Sequence, residues 1–390
     1  MSHELRDPAT SNSPTGVDQK PDGYIVAAYV WPAYHDEPRW RPFYLGTEGE
    51  WEIIRHASQK GDPDLEINKP LWGYESDSDP AVMAKKIDAA VSHGISAFIF
   101  DWYWYDNAPF LEESLDKGFL AAGNCSRMSF YLMWANHNAS SLWDLRRSHD
   151  PGEVIWPGGA DRATFDTVVD RIIEKYMTHP SYLKIGGCPV FMVYELGTLI
   201  DGLGGLNETR AALDSFREKV RAAGFPGLHF QTVVWNLPAS PSGVPGDDQP
   251  TVADTLERLR VDSLTSYQWV HTEGPPDTYE AWGTKAIAHW EAWTQENSIP
   301  YFPHVSVGWN TNPRFVAKLP LITERSPKAF ANFLKEAKAF TEKHNLRPRL
   351  ITVNAWNEWS EGSYLEPDER FGMGYLEAVK SVFMVESAPE

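Results

Sequence analysis

The chain has 390 residues, of which 42% are hydrophobic and 23% charged, and its formal net charge at pH 7 is −19. This balance is typical of a globular protein and excludes a collagen-like or wholly disordered chain, and two cysteines are too few for a disulfide scaffold. So large a negative charge repels phosphate groups, so we expect neither nucleic acid nor a membrane surface as a partner. No apolar run reaches the roughly 18 residues that a membrane-spanning helix needs.

Residues 1–22 are polar and rich in Ser, Pro and Asp, which predicts a disordered tail ahead of a catalytic domain at 23–390. The tail contains no apolar segment of the kind found in secretory signals. Cys125 and Cys188 lack the spacing of metal ligands and fit a reducing compartment. We therefore expect a cytoplasmic location, unless a leader has been removed, and make no prediction of oligomeric state.

From residue 24 onward, short β-rich apolar runs alternate with segments of helical periodicity. The runs are continuously apolar, which is typical of parallel strands buried on both faces. The predicted strands are 24–31, 95–102, 129–134, 189–194, 228–235, 263–268, 301–307 and 350–356. The predicted helices are 80–93, 110–122, 164–178, 208–223, 251–260, 279–295, 327–344 and 374–383.

Eight strand-then-helix units predict the fold class α/β, as a single (β/α)8 TIM barrel with elaborated βα loops. An open doubly wound sheet is the alternative, but it usually has a Gly-rich phosphate turn after its first strand. Here the first strand runs into Pro32-Ala33-Tyr34-His35, which cannot cradle a phosphate. The Pro- and Gly-rich stretch 238–250 predicts a long surface loop rather than a domain boundary.

In such a barrel the active site lies at the carboxyl ends of the strands. Every predicted strand ends in an aromatic residue beside a hydrogen-bonding one, and flat apolar faces edged by polar groups suit sugar rings. We expect four tryptophans, Trp102, Trp134, Trp309 and Trp359, to line one pocket. The other candidate substrate-binding residues at strand ends are His35, Asp101, Tyr103, Asn136, His137, Glu195, Tyr267, Asn310, Arg314, Asn354 and Trp356.

Polar and aromatic residues are densest at 354–367, which includes Glu358 and Glu361. On a helical turn this spacing places both side chains on one face, about 5–6 Å apart at Cβ. Glycoside hydrolysis usually needs two carboxyl groups, so the pair is the candidate catalytic pair. The alternative of solvated loop charges is disfavoured by the flanking Trp356 and Trp359. For Glu195 an ion-pair or positioning role is favoured over catalysis. The chain has no HExxH motif or paired His/Asp spacing, so we expect neither metal nor cofactor.

Five motifs in order resemble the WbsX-like proteins related to glycoside hydrolase family 99, the endo-α-mannosidase and endo-mannanase family. They are the Tyr/Pro/His start at 29–35, GISAFIFDWYWYD at 94–106, WANHN at 134–138, GWNTNPR at 308–314, and NAWNEWSEGSYLEPD at 354–368. The resemblance implies a (β/α)8 barrel, in agreement with the strand count. Tyr29, Tyr364 and Glu366 lie in the first and last motifs and join the candidate substrate-binding residues.

The resemblance implies Glu358 and Glu361 as the catalytic carboxyls and a reaction that retains configuration. It implies that Glu358 takes the proton of the substrate 2-hydroxyl, whose oxygen displaces the leaving group. Glu361 would protonate the leaving oxygen and later activate water. The chain departs from the usual pattern at His137, where Glu is usual, and at Asn310, where Asp is usual. The first departure suggests a different sugar or substituent.

The predicted function is therefore a retaining glycoside hydrolase on an α-linked glycan, of mannose type or related, with an oligosaccharide or polysaccharide as substrate. One alternative is a WbsX-like glycosyltransferase of polysaccharide biosynthesis. A transferase needs metal-binding acids or a basic cluster for a nucleotide diphosphate, and Arg314 is nearly alone as a basic residue at the strand ends. The other alternative, a non-catalytic carbohydrate-binding barrel, is disfavoured because both glutamates are present.

Overall fold

The computed structural model describes residues 23–384 apart from 42, 44–45, 60–64, 145, 148–151, 238–250, 276–277 and 316–318. The predicted tail at 1–22 and the predicted loop at 238–250 lie outside the described residues. No helix among the described residues combines the length and the apolar character that crossing a membrane requires.

Eight parallel strands make the barrel, and each lies beside its neighbour in the chain. A parallel bridge from Leu264 to Tyr301 joins the sixth strand to the start of the seventh, and the eighth pairs with the first. The predicted (β/α)8 barrel is therefore confirmed. The strands are β1 (Tyr24–Val30), β2 (Ala97–Tyr105), β3 (Ser129–Trp134), β4 (Cys188–Val193), β5 (His229–Val233), β6 (Ser263–Thr265), β7 (His304–Ser306) and β8 (Arg349–Asn354).

Nine α-helices of the described residues cover or flank the barrel. Two begin at N-caps with proline in the first turn: the side chain of Asp79 accepts from the N–H of Ala81, and that of Ser326 accepts from the N–H of Ala329. The helices are α1 (Trp51–Gln59), α2 (Pro80–Ser92), α3 (Arg162–Ile172), α4 (Leu196–Leu203), α5 (Leu206–Ala222), α6 (Val252–Leu259), α7 (Tyr279–Glu296), α8 (Pro327–Lys343) and α9 (Gly374–Phe383).

The segment predicted as a helix at 110–122 differs. Its start belongs to a short strand, Ala108–Phe110, that folds back on β2, and only Ser114–Phe119 is helical, as a π-helical turn. The ring of Phe110 stacks on Trp40 at 5.1 Å. That ring packing holds the start of the segment in the aromatic cluster above the barrel and away from the helix layer.

The two-residue alternation of β2 decides which of its side chains reach the barrel interior. Asp101 and Tyr103 face the interior, so Trp102 between them faces the helices. The Trp102 indole N–H donates to Glu112 at 2.9 Å, and Glu112 is paired with Arg171 of α3. Trp102 therefore joins the barrel to its helix shell and does not line the predicted pocket.

The same alternation turns two more tryptophans outward. Trp134 of β3 stands in register with Trp102 and packs on Phe165 of α3, with ring centroids 6.2 Å apart. Trp356, after β8, packs on Phe98 at 5.1 Å. Neither ring is part of the wall of the cavity described below.

Candidate active site

A cavity of about 270 Å³ opens at the carboxyl ends of the strands. Nine of the residues singled out from the sequence meet in its wall. They are Asp101, Tyr103, His137, Glu195, Tyr267, Trp309, Arg314, Glu358 and Glu361. Seven more residues complete the wall: Trp31, Met133, Ala135, Trp143, Tyr194, Trp235 and His271.

Glu358 is 4% exposed and its carboxyl is held by neutral donors. The Tyr267 hydroxyl lies 3.1 Å from its Oε2, and the Asn354 amide donates to the same oxygen at 3.1 Å. Gln268 in turn donates to Asn354 at 2.8 Å. Burial, with the nearby charges of Glu361 and Asp101, raises the pKa of Glu358 well above its usual value, so this carboxyl keeps its proton to higher pH than an exposed glutamate does.

Glu361 differs because a cation stands beside it. Arg314 reaches its Oε1 at 3.4 Å and donates at 2.7 Å to Glu50, which is fully buried. Burial raises the pKa of Glu361, and Arg314 and a hydrogen bond with Glu358 both oppose that rise. The two catalytic candidates are therefore neighbouring carboxyls that influence each other's titration, and the contact with Arg314 makes Glu361 the better stabilised anion.

Tyr267 links this pair to a third carboxyl. Its hydroxyl donates to Oδ2 of Asp101 at 2.8 Å as well as lying 3.1 Å from Glu358. Asp101 is 3% exposed, and burial raises its pKa well above the usual value. One phenolic proton cannot satisfy two carboxylates at once, which is a further reason for at least one of them to be protonated.

Asn136 lies outside the cavity wall, but it fixes the position of Glu195, which is part of the wall. Its amide donates to the carbonyl of Glu195 and its Oδ1 accepts from the N–H of Glu195, both at 2.8 Å. The Glu195 carboxylate accepts from Thr198 at 2.5 Å. Asn136 thus fixes the strand end from which Glu195 reaches the cavity.

A buried ion cluster supports the loop of Glu358 from behind. Lys86 of α2 contacts Asp77 and Glu366, each at 2.5 Å, and all three are at most 4% exposed. The side chain of Asn357 donates to Asp77 at 2.9 Å, and the Trp359 indole donates to Glu366 at 2.8 Å. Glu366 and Trp359 therefore anchor the loop and lie outside the cavity wall.

Four other sequence candidates also lie outside the wall. Tyr364 stacks on Trp359 with centroids 3.7 Å apart. Tyr29 donates to the carbonyl of Ser266 at 3.1 Å inside the barrel. Asn310 donates to the carbonyl of Leu65 at 2.7 Å and holds a loop. His35 is 1% exposed, and burial lowers its pKa to about 4.

His137 is in the wall, with its ring edge-on to Tyr103 at 5.6 Å and to Trp143 at 5.5 Å. Burial lowers its pKa, so it presents a neutral ring. The departure from the family pattern at this position thus puts an uncharged group where the pattern has a carboxyl.

Sequence reasoning left seven wall residues out of the candidate set. Trp31, Tyr194 and Trp235 end strands and carry the same signal as the chosen residues. Trp143 and His271 stand on short 3-10 turns after β3 and β6, and no periodicity marks them. Among the described residues, no group of three His, Cys, Asp or Glu side chains is arranged to hold a metal ion.

Residues 26–379 match the family model described as Glycosyltransferase WbsX. The chain belongs to the WbsX family. It is 25% identical over 362 residues to the uncharacterized protein WxcX of Xanthomonas campestris pv. campestris, in strain B100 and in a second strain. The match covers 91% of this chain and 49% of WxcX, so the chain spans about half the length of the curated relatives it matches.

Among solved structures, this WbsX chain is similar to the GH99 endo-α-mannosidase from Bacteroides thetaiotaomicron, with a TM-score of 0.55 and 14% identity over 91% of this chain and 95% of that one. A glycoside hydrolase-like protein gives a TM-score of 0.59 and 17% identity, over 96% and 98% of the two chains. At these identities the likeness shows a shared fold. The family resemblance expected from the five motifs is confirmed, and the barrel is one that glycoside hydrolases use.

Proposed function

We propose that this WbsX chain is a retaining glycoside hydrolase that cleaves an α-linked glycan, of mannose type or related, with Glu358 and Glu361 as its catalytic pair. The observation that carries the proposal is the pair itself. Two carboxyls from one short loop, both with raised pKa, share a cavity lined by aromatic rings at the carboxyl ends of the strands. The relation to GH99 supports the same reading.

The proposal assigns the two roles through one proton. Burial favours the protonated form of Glu358, whereas the role of base toward the 2-hydroxyl needs Glu358 as a carboxylate. Transfer of that proton from Glu358 to Glu361 prepares both groups at once, Glu358 as base and Glu361 as acid. Glu361 then protonates the leaving oxygen while the 2-oxygen attacks the anomeric carbon, and water opens the resulting 1,2-anhydro sugar.

The closeness of the pair favours this route over a carboxylate nucleophile. Nucleophile and acid in ordinary retaining enzymes stand about 5–5.5 Å apart across the scissile bond. Glu358 and Glu361 are three positions apart on one short loop, so they approach the sugar from neighbouring directions. Glu195, in the same cavity wall, is the group that would serve as nucleophile in the ordinary route.

The first test replaces each catalytic candidate by its uncharged isostere. We expect Glu358→Gln and Glu361→Gln to fold normally and to lose about 10²–10⁴-fold in hydrolysis of α-linked oligomannosides, because each removes a proton-transfer group. Glu369→Gln is the matched control, since Glu369 lies in the same loop region but is exposed. Near wild-type rates in either variant would remove that residue from the mechanism. Binding without turnover by the wild-type protein would favour a carbohydrate-binding barrel.

The second test separates the two routes. A substrate without the 2-hydroxyl should bind and remain uncleaved, and a 2-fluoro glycosyl donor should leave no adduct in intact-protein mass spectra. A stable adduct on Glu358 or Glu195 would replace the 1,2-anhydro route by a covalent glycosyl-enzyme.

A glycosyltransferase is the second candidate, favoured by the name of the family model. Among the described residues that line the cavity, Arg314 is the one Lys or Arg, and it is engaged by Glu50 and Glu361. Four carboxyls in the same wall would oppose a nucleotide diphosphate. Release of nucleotide from sugar nucleotides in the presence of an acceptor, with no hydrolysis of glycans, would establish the transferase instead.

A further inference from the structure

The wall of the cavity holds more carboxyl groups than cations. Asp101, Glu195, Glu358 and Glu361 all line it. Arg314 contacts Glu361 at 3.4 Å and Glu50 at 2.7 Å, so its charge is already matched within the wall. A ligand in this cavity therefore meets more carboxyl groups than cations.

Asp101 is the acid with an unused hydrogen-bonding atom. Its side chain is buried in the cavity wall, and Tyr267 holds its Oδ2 at 2.8 Å. Its Oδ1 has no hydrogen-bond partner among the described residues. A buried carboxyl oxygen without a partner is costly, and because Asp101 lines the cavity, a ligand bound there is the nearest source of a donor. Tyr267 keeps the carboxyl oriented for that donor.

The rest of the wall also favours a positive ligand group. Seven aromatic rings line it, and the face of an aromatic ring attracts a cation. The two histidines add no opposing charge, because burial lowers the pKa of His137 and lowers that of His271 to about 3. Carboxyls, rings and neutral imidazoles thus surround the space next to Asp101.

We propose, on the basis of the function proposed above, that the sugar ring bound in this cavity carries a protonated amino group that pairs with Asp101. The amine is on a carbon other than C2, because the 2-hydroxyl takes part in the reaction. A neutral sugar hydroxyl could also donate to Asp101, but it would bring no positive charge to a wall that holds four carboxyl groups and one arginine. An ammonium group supplies both the donor and the charge, and charge-assisted hydrogen bonds are the stronger kind.

The proposal predicts that protons are released when the ligand binds. The proton that a buried Asp101 retains is displaced when an ammonium group arrives, because its charge favours the carboxylate form. Binding should therefore release protons and tighten as pH rises, until the amine itself loses its proton. The titratable and charged groups that face Asp101 around the cavity are Tyr29, Tyr103, His137, Tyr194, Glu195, Tyr267, His271, Arg314, Glu358 and Glu361.

The test compares methyl α-mannopyranoside with its 3-, 4- and 6-amino-deoxy analogues and with their N-acetyl derivatives, which are neutral. Calorimetry at about pH 6.5, where an amine is protonated, in two buffers of different ionisation enthalpy gives affinity and proton release. We expect at least one amine to bind about tenfold or more tighter than the parent, or about 1.4 kcal/mol. Its N-acetyl derivative should lose that gain.

Asp101→Asn should abolish most of the preference for the amine. The matched control is Asp88→Asn, which makes the same charge change on the exposed face of α2. Amines that bind no tighter than the parent, or a preference that persists in Asp101→Asn, would overturn the inference. If Asp101→Asn does not fold, the comparison of amines with N-acetyl sugars on the wild-type protein still tests the inference. If no amine binds, the inference is also overturned. Because binding is measured without turnover, failure of the hydrolase assays would overturn the proposed function and leave this result standing.

Discussion

Replacing Lys86 by methionine isolates the contribution of the buried ion cluster behind the loop that carries Glu358. Lys86 is 2% exposed and contacts two carboxylates, Asp77 and Glu366, that are 0% and 4% exposed. Without it, Asp77 retains the amide of Asn357 and Glu366 retains the indole of Trp359, both neutral donors. Methionine has a similar length, so the change removes the charge with little change in packing.

The expected loss of stability is large because two acids lose one shared partner. Leaving a buried charge unpaired costs about 3–5 kcal/mol, and two affected carboxylates place the loss near the upper value. At about 2.1 cal/mol/K of unfolding entropy per residue, a chain of this length loses roughly 6 °C in Tm for a loss of about 5 kcal/mol. Lys85→Met is the control, since Lys85 pairs with Glu75 at the surface, where a pair contributes about 1 kcal/mol or less.

The loss should also depend on pH in a defined direction. Burial raises the pKa of Asp77 to about 6 and Lys86 opposes that rise, so removing Lys86 raises the pKa further. When the pKa of an acid is higher in the folded than in the unfolded state, the fold loses stability as pH rises between the two pKa values. For aspartate the unfolded-state pKa is about 3.9. The deficit of Lys86→Met should therefore be greater at about pH 7 than at about pH 5. Thermal unfolding of the three proteins at both pH values measures it, and a Tm equal to that of Lys85→Met, or a deficit that grows as pH falls, would refute the reasoning.

Two further predictions follow from the site and from the helix shell. Arg314→Gln removes the cation that lowers the pKa of both Glu358 and Glu361, so both limbs of the pH–rate profile should move to higher pH; a profile that stays in place would contradict the charge assignment. Trp102→Ala should cost about 3–5 kcal/mol in urea unfolding, because a large buried ring is lost, and should leave ligand affinity unchanged. A loss of ligand affinity in Trp102→Ala would show instead that Trp102 contributes to ligand binding.

The sequence by itself determined the barrel and the end of it that carries the site. Continuous apolar runs alternating with helical periodicity specify buried parallel strands with helices around them, and that pattern is local enough to read. Glu358, Glu361 and Arg314 were found because strand ends of a barrel converge and because a short motif keeps its spacing. The helix expected at 110–122 failed because ring packing around Phe110 outweighs local helical preference.

Only the tertiary structure decided which strand-end side chains face the cavity. Adjacent residues of a strand point to opposite faces, so Asp101 enters the barrel and Trp102 leaves it, and a composition of alternating aromatic and polar residues does not say which. The structure also decided the charge of the site. Glu50 reaches Arg314 from 264 positions away along the chain, and Lys86 of α2 contacts Glu366 behind the loop that carries Glu358. Such pairs form only when distant segments of the chain fold onto each other. The pKa of a carboxyl depends on burial and on neighbouring charges, and neither can be read from a local sequence pattern.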